Sequence, residues 1–440
     1  MSITPHPVAD YKAALFVQIR NSEGFGLRNR PGLPYLDTAT PPRATIGYGF
    51  NIENGNAARL VLARLGLFAG KTDADVLRIE SEFRTAIRAG HGSHSALEAS
   101  LDAFAVRHGV AGGKFRLSET QGEAIFNQIL TGVPAGVLTG IGGSTINVEG
   151  KQERLNANIN NTFNPTTGWS TLDINSKEYE ALMSLFYNTE SLIAKGSNLA
   201  NAVIQGERVE AWYEIRYRSN LDEQHAARRY AESDLFGQYD GVNGQFPATE
   251  LEARQVLNYL HQDNITENIL RYEGQFKLPQ VGAGGLDRYT QPAEGLLIVA
   301  FAAPLGITVA NVFAANPNGV PGDPLVGSAD SDLLLGASGH DILIGGGGND
   351  LLRGEAGKDL YIINAGDGND TIVDTAADLN GDGSPDGDGL GVVVFDHQML
   401  QGGLKKANES VYTSLDGQVT YQRSGADLVV NGTLTIKGWQ

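Results

Sequence analysis

The sequence predicts a multidomain chain: an α-rich N-terminal half with some β structure, a short apolar module, and a C-terminal parallel β-roll finished by further strands. Three observations carry this reading. Apolar residues recur at a helical period through much of residues 1–245. From Gly327 the composition turns abruptly to Gly, Asp and Leu. In "GASGHDILIGGGGNDLLRGEAGKDLYII", Gly336, Gly345 and Gly354 return every nine residues, as do Asp341, Asp350 and Asp359.

A chain of 440 residues is long enough for two or three separate cores. Its 51 acidic residues outnumber 33 basic ones, a net charge of −18. That balance argues against nucleic acid and anionic lipid as partners and favours binding of cations. With no cysteine, any stapling must come from packing or from hard cations held by oxygen. The stretch "MSITPHPVADYK" lacks the basic and apolar regions of a secretory signal, so export is expected by a route that reads none. The most apolar run, "GLLIVAFAAPLGITVA", falls short of a membrane span.

Along residues 1–245, helices are expected in "YKAALFVQIRN", "AARLVLARLGLF", "SKEYEALMSLFYN" and "AWYEIRYRSNLDEQHAARRYAESDLF", with a helical and loop insert at about 89–175. A glycine- and proline-rich stretch at 24–49 interrupts them. It is bracketed by Glu23 at a helix end, then presents Asp37, Thr45 and Gly47-Tyr48-Gly49, the last in an expected short hairpin. This order resembles the active-site segment of phage-type lysozymes, the endolysin family of glycoside hydrolases. "EYEALMSLFYN", ending in Asn188, and the Trp- and Arg-Arg-containing segment at 211–236 are similar to that family's later helices.

The resemblance implies an α+β catalytic domain that cleaves peptidoglycan glycan strands. Glycosidic cleavage needs a protonated carboxylic acid and a second group on the other face of the sugar. Glu23 is assigned as the acid, Asp37 as its ionised partner, Thr45 as a water-positioning group, and Tyr48 and Asn188 as substrate contacts. His91, His94 and His108 have no metal-site spacing and are read as solvated or capped.

Residues 246–287 read as a helical linker. Residues 288–326 resemble a LysM module, a βααβ element with "YTQPAEG" as the opening strand, and the resemblance implies glycan contacts from Asn316 and Pro317.

Four nine-residue units align at 327–335, 336–344, 345–353 and 354–362, with an imperfect fifth at 365–373. Each supplies turn glycines, an aspartate at the sixth position and an apolar eighth residue; Leu334, Leu343, Leu352 and Tyr361 are the expected thin core. Aspartates two units apart would face each other across a glycine turn and repel unless a cation sits between them. Calcium suits such an all-oxygen cage. A flexible linker has no reason to hold this phase. The pattern closely resembles the RTX calcium-binding repeat.

Candidate ligands are Asp332, Asp341, Asn349, Asp350, Asp359, Asp367, Asn369 and Asp370. A second candidate, "DLNGDGSPDGDG", spaces Asp378, Asn380, Asp382 and Asp386 like a calcium loop of EF-hand type, with Asp388 one residue short of the closing position. Terminal strands are expected in "GVVVFD", "VTYQRSG", "DLVVNG" and "LTIKGW" within the 327–440 roll and cap.

Together these readings give a secreted, calcium-binding muramidase acting in the periplasm or wall of target bacteria. An immunity or inhibitor protein and a type I or contact-dependent secretion apparatus are implied partners. The alternatives are a glycan-binding protein with an inactive lysozyme-like domain, or a chitinase or lytic transglycosylase.

Overall fold

A computed structural model describes residues 3–4, 6–23, 26–27, 30–37, 41–138, 145–160, 175–219, 225–276, 286–315, 324–375, 386–405 and 410–439. The chain divides into two compact units, Met1–Gly237 and Gln238–Gln440.

The first unit is mainly helical and is built around Lys177–Asn188, in which Glu178 to Tyr187 are all buried. A helix buried on every side leaves its polar residues in need of partners. Glu178 has them: Arg208 Nη2 lies 2.8 Å from its carboxylate and His6 Nδ1 2.5 Å. Ser184 donates to Glu232 at 2.6 Å, and Arg229 pairs with the same carboxylate. Helix Tyr11–Glu23 packs on this central helix, with Tyr11 edge-on to Tyr179 at 5.1 Å.

Beyond Glu23 comes a small antiparallel sheet of Tyr35–Leu36, Ala44–Ile46 and Phe50–Asn51. Capping boxes start two of the following helices, Thr72 with Asp75 and Ser118 with Gln121.

The second unit opens with helices Glu250–Leu260 and Asp263–Phe276. The expected LysM module is not formed. "YTQPAEG" lies inside helix Asp287–Leu297, which continues through a π turn at Ile298–Ala302. The reason is visible in its spacing: Tyr289, Ala293, Leu297 and Phe301, four residues apart, are all buried along one stripe. The two strands that follow, Asn311–Ala314 and Pro324–Val326, are parallel rungs of the β-roll rather than parts of a separate module. Asn316 and Pro317 lie outside the described residues.

The chain of the roll alternates between two sheets. In one, Asn311–Ala314, Asp332–Leu335, Leu351–Arg353, Asp370–Val373 and Leu434–Ile436 pair in parallel. An antiparallel meander from Leu404–Lys405 through Val411–Thr413, Thr420–Ser424 and Asp427–Val430 extends it. The other holds Pro324–Val326, Ile342–Ile344, Leu360–Ile363 and Val392–Phe395 in parallel, closed by Gln398–Met399.

Leu333 pairs with Leu351 and Ile342 with Leu360, each eighteen residues on, so two nonapeptides make one turn. Between the sheets lie Leu334, Leu343, Leu352, Tyr361, Ile372 and Phe395. Leu333, Leu335, Leu351 and Val373 point the other way and are equally buried, on the side where Arg353 meets Phe301 of the helical layer.

Close stacking of the turns explains the glycines. At Gly357 φ is +143°, and a Cβ would stand 1.3 Å from the Gly339 carbonyl oxygen, which is main chain and cannot yield. Gly366 shares a positive φ, +94°, but a Cβ there meets nothing within 4 Å. Gly357→Ala is therefore expected to prevent roll formation at calcium concentrations that fold the parent. Gly366→Ala should cost only the backbone strain of about 1–2 kcal/mol. Circular dichroism during calcium titration checks both.

Candidate functional site

The sixth-position aspartates form two ladders, one along each edge of the roll. Asp332 N–H donates to Asp350 Oδ1 at 2.8 Å, and Asp350 N–H to Asp370 Oδ1 at 3.0 Å. On the other edge Asp341 N–H donates to Asp359 Oδ1 at 2.9 Å. The carboxylates thus stack rung upon rung instead of facing one another across a turn. All five residues are buried.

The second oxygens divide into two sets. Those of Asp332 and Asp341 accept the Ser328 and Ala337 N–H groups. Asp350 Oδ2 and Asp359 Oδ2 are buried without any hydrogen-bond partner. A buried carboxylate oxygen with no donor is costly unless a cation meets it.

Burial is the main reason the Asp350 carboxyl is pushed up to about 7, with Asp370, Asp332 and Asp367 adding to it. Burial and then Asp341, Asp374 and Asp388 push Asp359 up to about 6; burial and Asp367 do the same for Asp370. Among the described residues no three His, Asp or Glu side chains gather as a metal cage. The remaining donors are main-chain: the carbonyls of Asp330, Gly339 and Gly348 lie against the glycines of the next rung. Paired carboxylates with carbonyl oxygens are the donor set a hard cation takes.

The profile described as "RTX calcium-binding nonapeptide repeat (4 copies)" matches residues 326–361 and 362–376. Residues 326–376 are RTX calcium-binding repeats. Their ion is calcium, and such repeats are typical of secreted proteins. No curated protein and no solved structure matches the chain. Among the described residues no helix is long and apolar enough to cross a membrane.

Asp332, Asp341, Asp350, Asp359 and Asp370 are the side chains that could hold calcium, which would neutralise the ladders and tie rung to rung. The other candidates are placed differently. Asn349 and Asn369 form an outer ladder, Asn369 N–H to Asn349 Oδ1 at 2.8 Å and Asn349 N–H to Ser331 Oγ at 2.9 Å. Asp367 clips its own turn, accepting from Asn364 N–H and Nδ2 at 3.0 Å.

Of the second loop, Asp378, Asn380 and Asp382 lie outside the described residues. Its Asp386 is buried and paired with Arg353 Nη2 at 2.5 Å, so a guanidinium takes the charge intended for the ion. Asp388 accepts the Gly357 N–H at 2.9 Å. Asp374, which the repeat pattern did not single out, accepts Gly389 and Gly391 N–H groups at 2.9 Å and closes the edge of the roll beyond Asp359.

In the first unit Glu23 is the last residue of its helix. Tyr35 pairs with Thr45, and the ladder continues with Asp37 N–H to Arg43 O at 2.9 Å. Asp37 and Thr45 therefore share one face of the sheet. Both touch the Arg43 main chain: Asp37 Oδ1 accepts its N–H at 2.8 Å, and Thr45 Oγ1 donates to its oxygen at 3.3 Å.

Tyr48 is not on a surface. It is fully buried between Phe16 and Phe50, and burial, with Glu119 beside it, pushes its hydroxyl up to about 12. Its carbonyl accepts from Tyr187 at 3.1 Å, which brings the exposed Asn188, the next residue, towards the hairpin.

Glu53 went unnoticed in the sequence; its Oε1 accepts Ala44 N–H at 2.7 Å and lies 2.7 Å from His91 Nε2. The Asn51-x-Glu53 spacing, with Asn51 Oδ1 taking the Glu53 N–H at 2.9 Å, is the local signal that marks it. His94 and His108 have partners too, Leu36 N–H and Glu82.

Raised carboxyl pKa values give the calcium-free roll a definite pH response. A carboxyl whose folded pKa exceeds its unfolded value of about 3.9 adds stability below that value and loses it as pH rises. Calcium-depleted protein is expected to lose roll stability from about pH 4 to about pH 7, through the range of Asp370, Asp359 and Asp350. Calcium should abolish that slope, and Asp350→Asn with Asp359→Asn should flatten it without calcium. Urea unfolding at three pH values reads the difference.

Proposed function

We propose that the chain is a secreted, calcium-dependent peptidoglycan hydrolase of lysozyme type. The observation that carries the proposal is the order and placement of three residues. Glu23 closes a helix, and the sheet that follows sets Asp37 and Thr45 on one face. Glu23 donates a proton to the leaving glycosidic oxygen. Asp37, held by the Arg43 N–H, is the ionised partner, and Thr45 helps position water with it. Asn188, the last residue of helix Lys177–Asn188, is the substrate contact.

Export follows from the calcium repeats. Extracellular calcium modules bind at roughly 10⁻⁴–10⁻³ M, so the roll stays loose inside the producing cell and folds outside it. The targets are the walls of other bacteria, reached by type I or contact-dependent secretion.

A second reading, a calcium-dependent glycan-binding protein with an inactive domain, draws on one fact: Asp37 Oδ1 and Thr45 Oγ1 both engage the Arg43 main chain. Purified protein in calcium is expected to clear a peptidoglycan suspension, and Glu23→Gln to lower that rate by roughly 10²–10⁴-fold. Mass spectrometry should find reducing muropeptide ends; anhydro ends would mean a lytic transglycosylase. Equal, negligible clearing by both proteins, with the roll folded, would favour the binder.

A further inference from the structure

Helix Glu250–Leu260 packs on the first strand of the roll and also sets one buried guanidinium against its turns. Arg254, with 9% of its side chain exposed, donates from Nη1 to the Gly336 carbonyl at 2.6 Å and from Nη2 to Glu355 Oε1 at 2.8 Å. Phe301, from the π turn of the next helix, lies 5.3 Å from the Arg254 guanidinium and 4.5 Å from that of Arg353.

Two features set this contact apart from ordinary pairing. Gly336 and Gly354 open repeats stacked one rung apart, since a Cβ on Gly336 would meet the Gly354 oxygen at 2.5 Å. Arg254 therefore grips two successive turns at once. Glu355, moreover, holds φ at +70°, the left-handed region, where the preceding repeat has Gly346 at +92°. The chain keeps a carboxylate where glycine would be relaxed. That turn also borders the ion ladder: a Cβ on Gly354 would stand 2.1 Å from Asp359 Oδ2, one of the two orphaned oxygens.

We propose that Arg254 is a latch coupling the docking of helices Glu250–Leu260 and Asp287–Leu297 to calcium loading of the Asp341–Asp359 ladder. Calcium held by Asp341 and Asp359 would fix the two turns at the spacing in which both acceptors of Arg254 are in place. The coupling is reciprocal: docking of the helices tightens calcium by the same factor. The helical layer is thus a second structure that calcium builds. This holds whether or not the first unit cleaves glycans.

Calcium chloride titrated into chelator-treated full-length protein, followed by hydrogen–deuterium exchange, tests it. Peptides from 250–260 and 298–302 should gain protection at the same calcium midpoint as those from 332–363. Arg254→Met should raise that midpoint about fivefold or more and leave 250–260 exchanging freely. Glu355→Gly relieves the backbone, so it cannot fail through strain, and should raise the midpoint as well. Should Arg254→Met not fold, Glu355→Gly decides. Helix peptides already protected in chelator, or Glu355→Gly folding at the same or lower calcium than the parent, would overturn the latch.

Discussion

Stacked carboxylates set the terms for the C-terminal half of this protein. Adjacent strands lie about 4.8 Å apart, so each aspartate of a ladder sits one strand spacing from the next. Two unit charges at about 5 Å repel by about 3 kcal/mol at an effective dielectric of 20. Behind them stands a core only one residue deep per rung, Leu334, Leu343, Leu352 and Tyr361 among them. Such a core is too thin to outweigh repulsion repeated rung after rung. Either protons or a divalent cation must remove the charge, and at neutral pH protons do so only partly. The roll's fold is therefore written jointly by the chain and the ion.

That dependence spreads outward along specific contacts. The sheet's outer leucines are buried on the side of the helical layer, and Arg353 and Arg254 supply fixed positive charge at the turns where Asp386 and Glu355 stand. Protein cations serve the outside of the roll, where side chains from elsewhere can reach. The ladders lie inside stacked glycine turns, and at Gly357 and Gly368 the neighbouring main chain leaves no room even for a Cβ. A small mobile ion is the one cation that geometry admits. The same crowding that excludes side chains thus explains both the glycines and the choice of calcium over lysine or arginine.

The nine-residue phase was legible because every rung makes the same backbone demand, and it gave the strand spacing, the inward leucines and the ion. Where the roll begins was not legible. Asn311–Ala314 needs only an extended backbone and an inward Phe313 to pair with Asp332–Leu335, so it carries neither glycine nor aspartate in phase. The stripe of Tyr289, Ala293, Leu297 and Phe301 was in plain view, yet the likeness to a βααβ module outweighed it. Asp386 looked like a calcium ligand because spacing says nothing of Arg353, thirty-three residues earlier. In the first unit the order of Glu23, Asp37 and Thr45 was readable. The grip of Asp37 and Glu53 on the Arg43–Ala44 backbone depends on hairpin register, which one sequence leaves open.

The two units answer the question of stability in opposite ways. The first pairs its most deeply buried carboxylates internally: Glu178 with Arg208 and His6, Glu232 with Arg228 and Arg229. Removing one partner of such a pair typically costs 3–5 kcal/mol, but an intact pair asks nothing of the solvent. The second leaves Asp350 and Asp359 oxygens without donors and waits for an ion. If chemistry resides at Glu23, calcium acts on the half of the chain that does not hold it. Dependence of activity on calcium then reports folding and persistence outside the cell, not a change in the reacting groups.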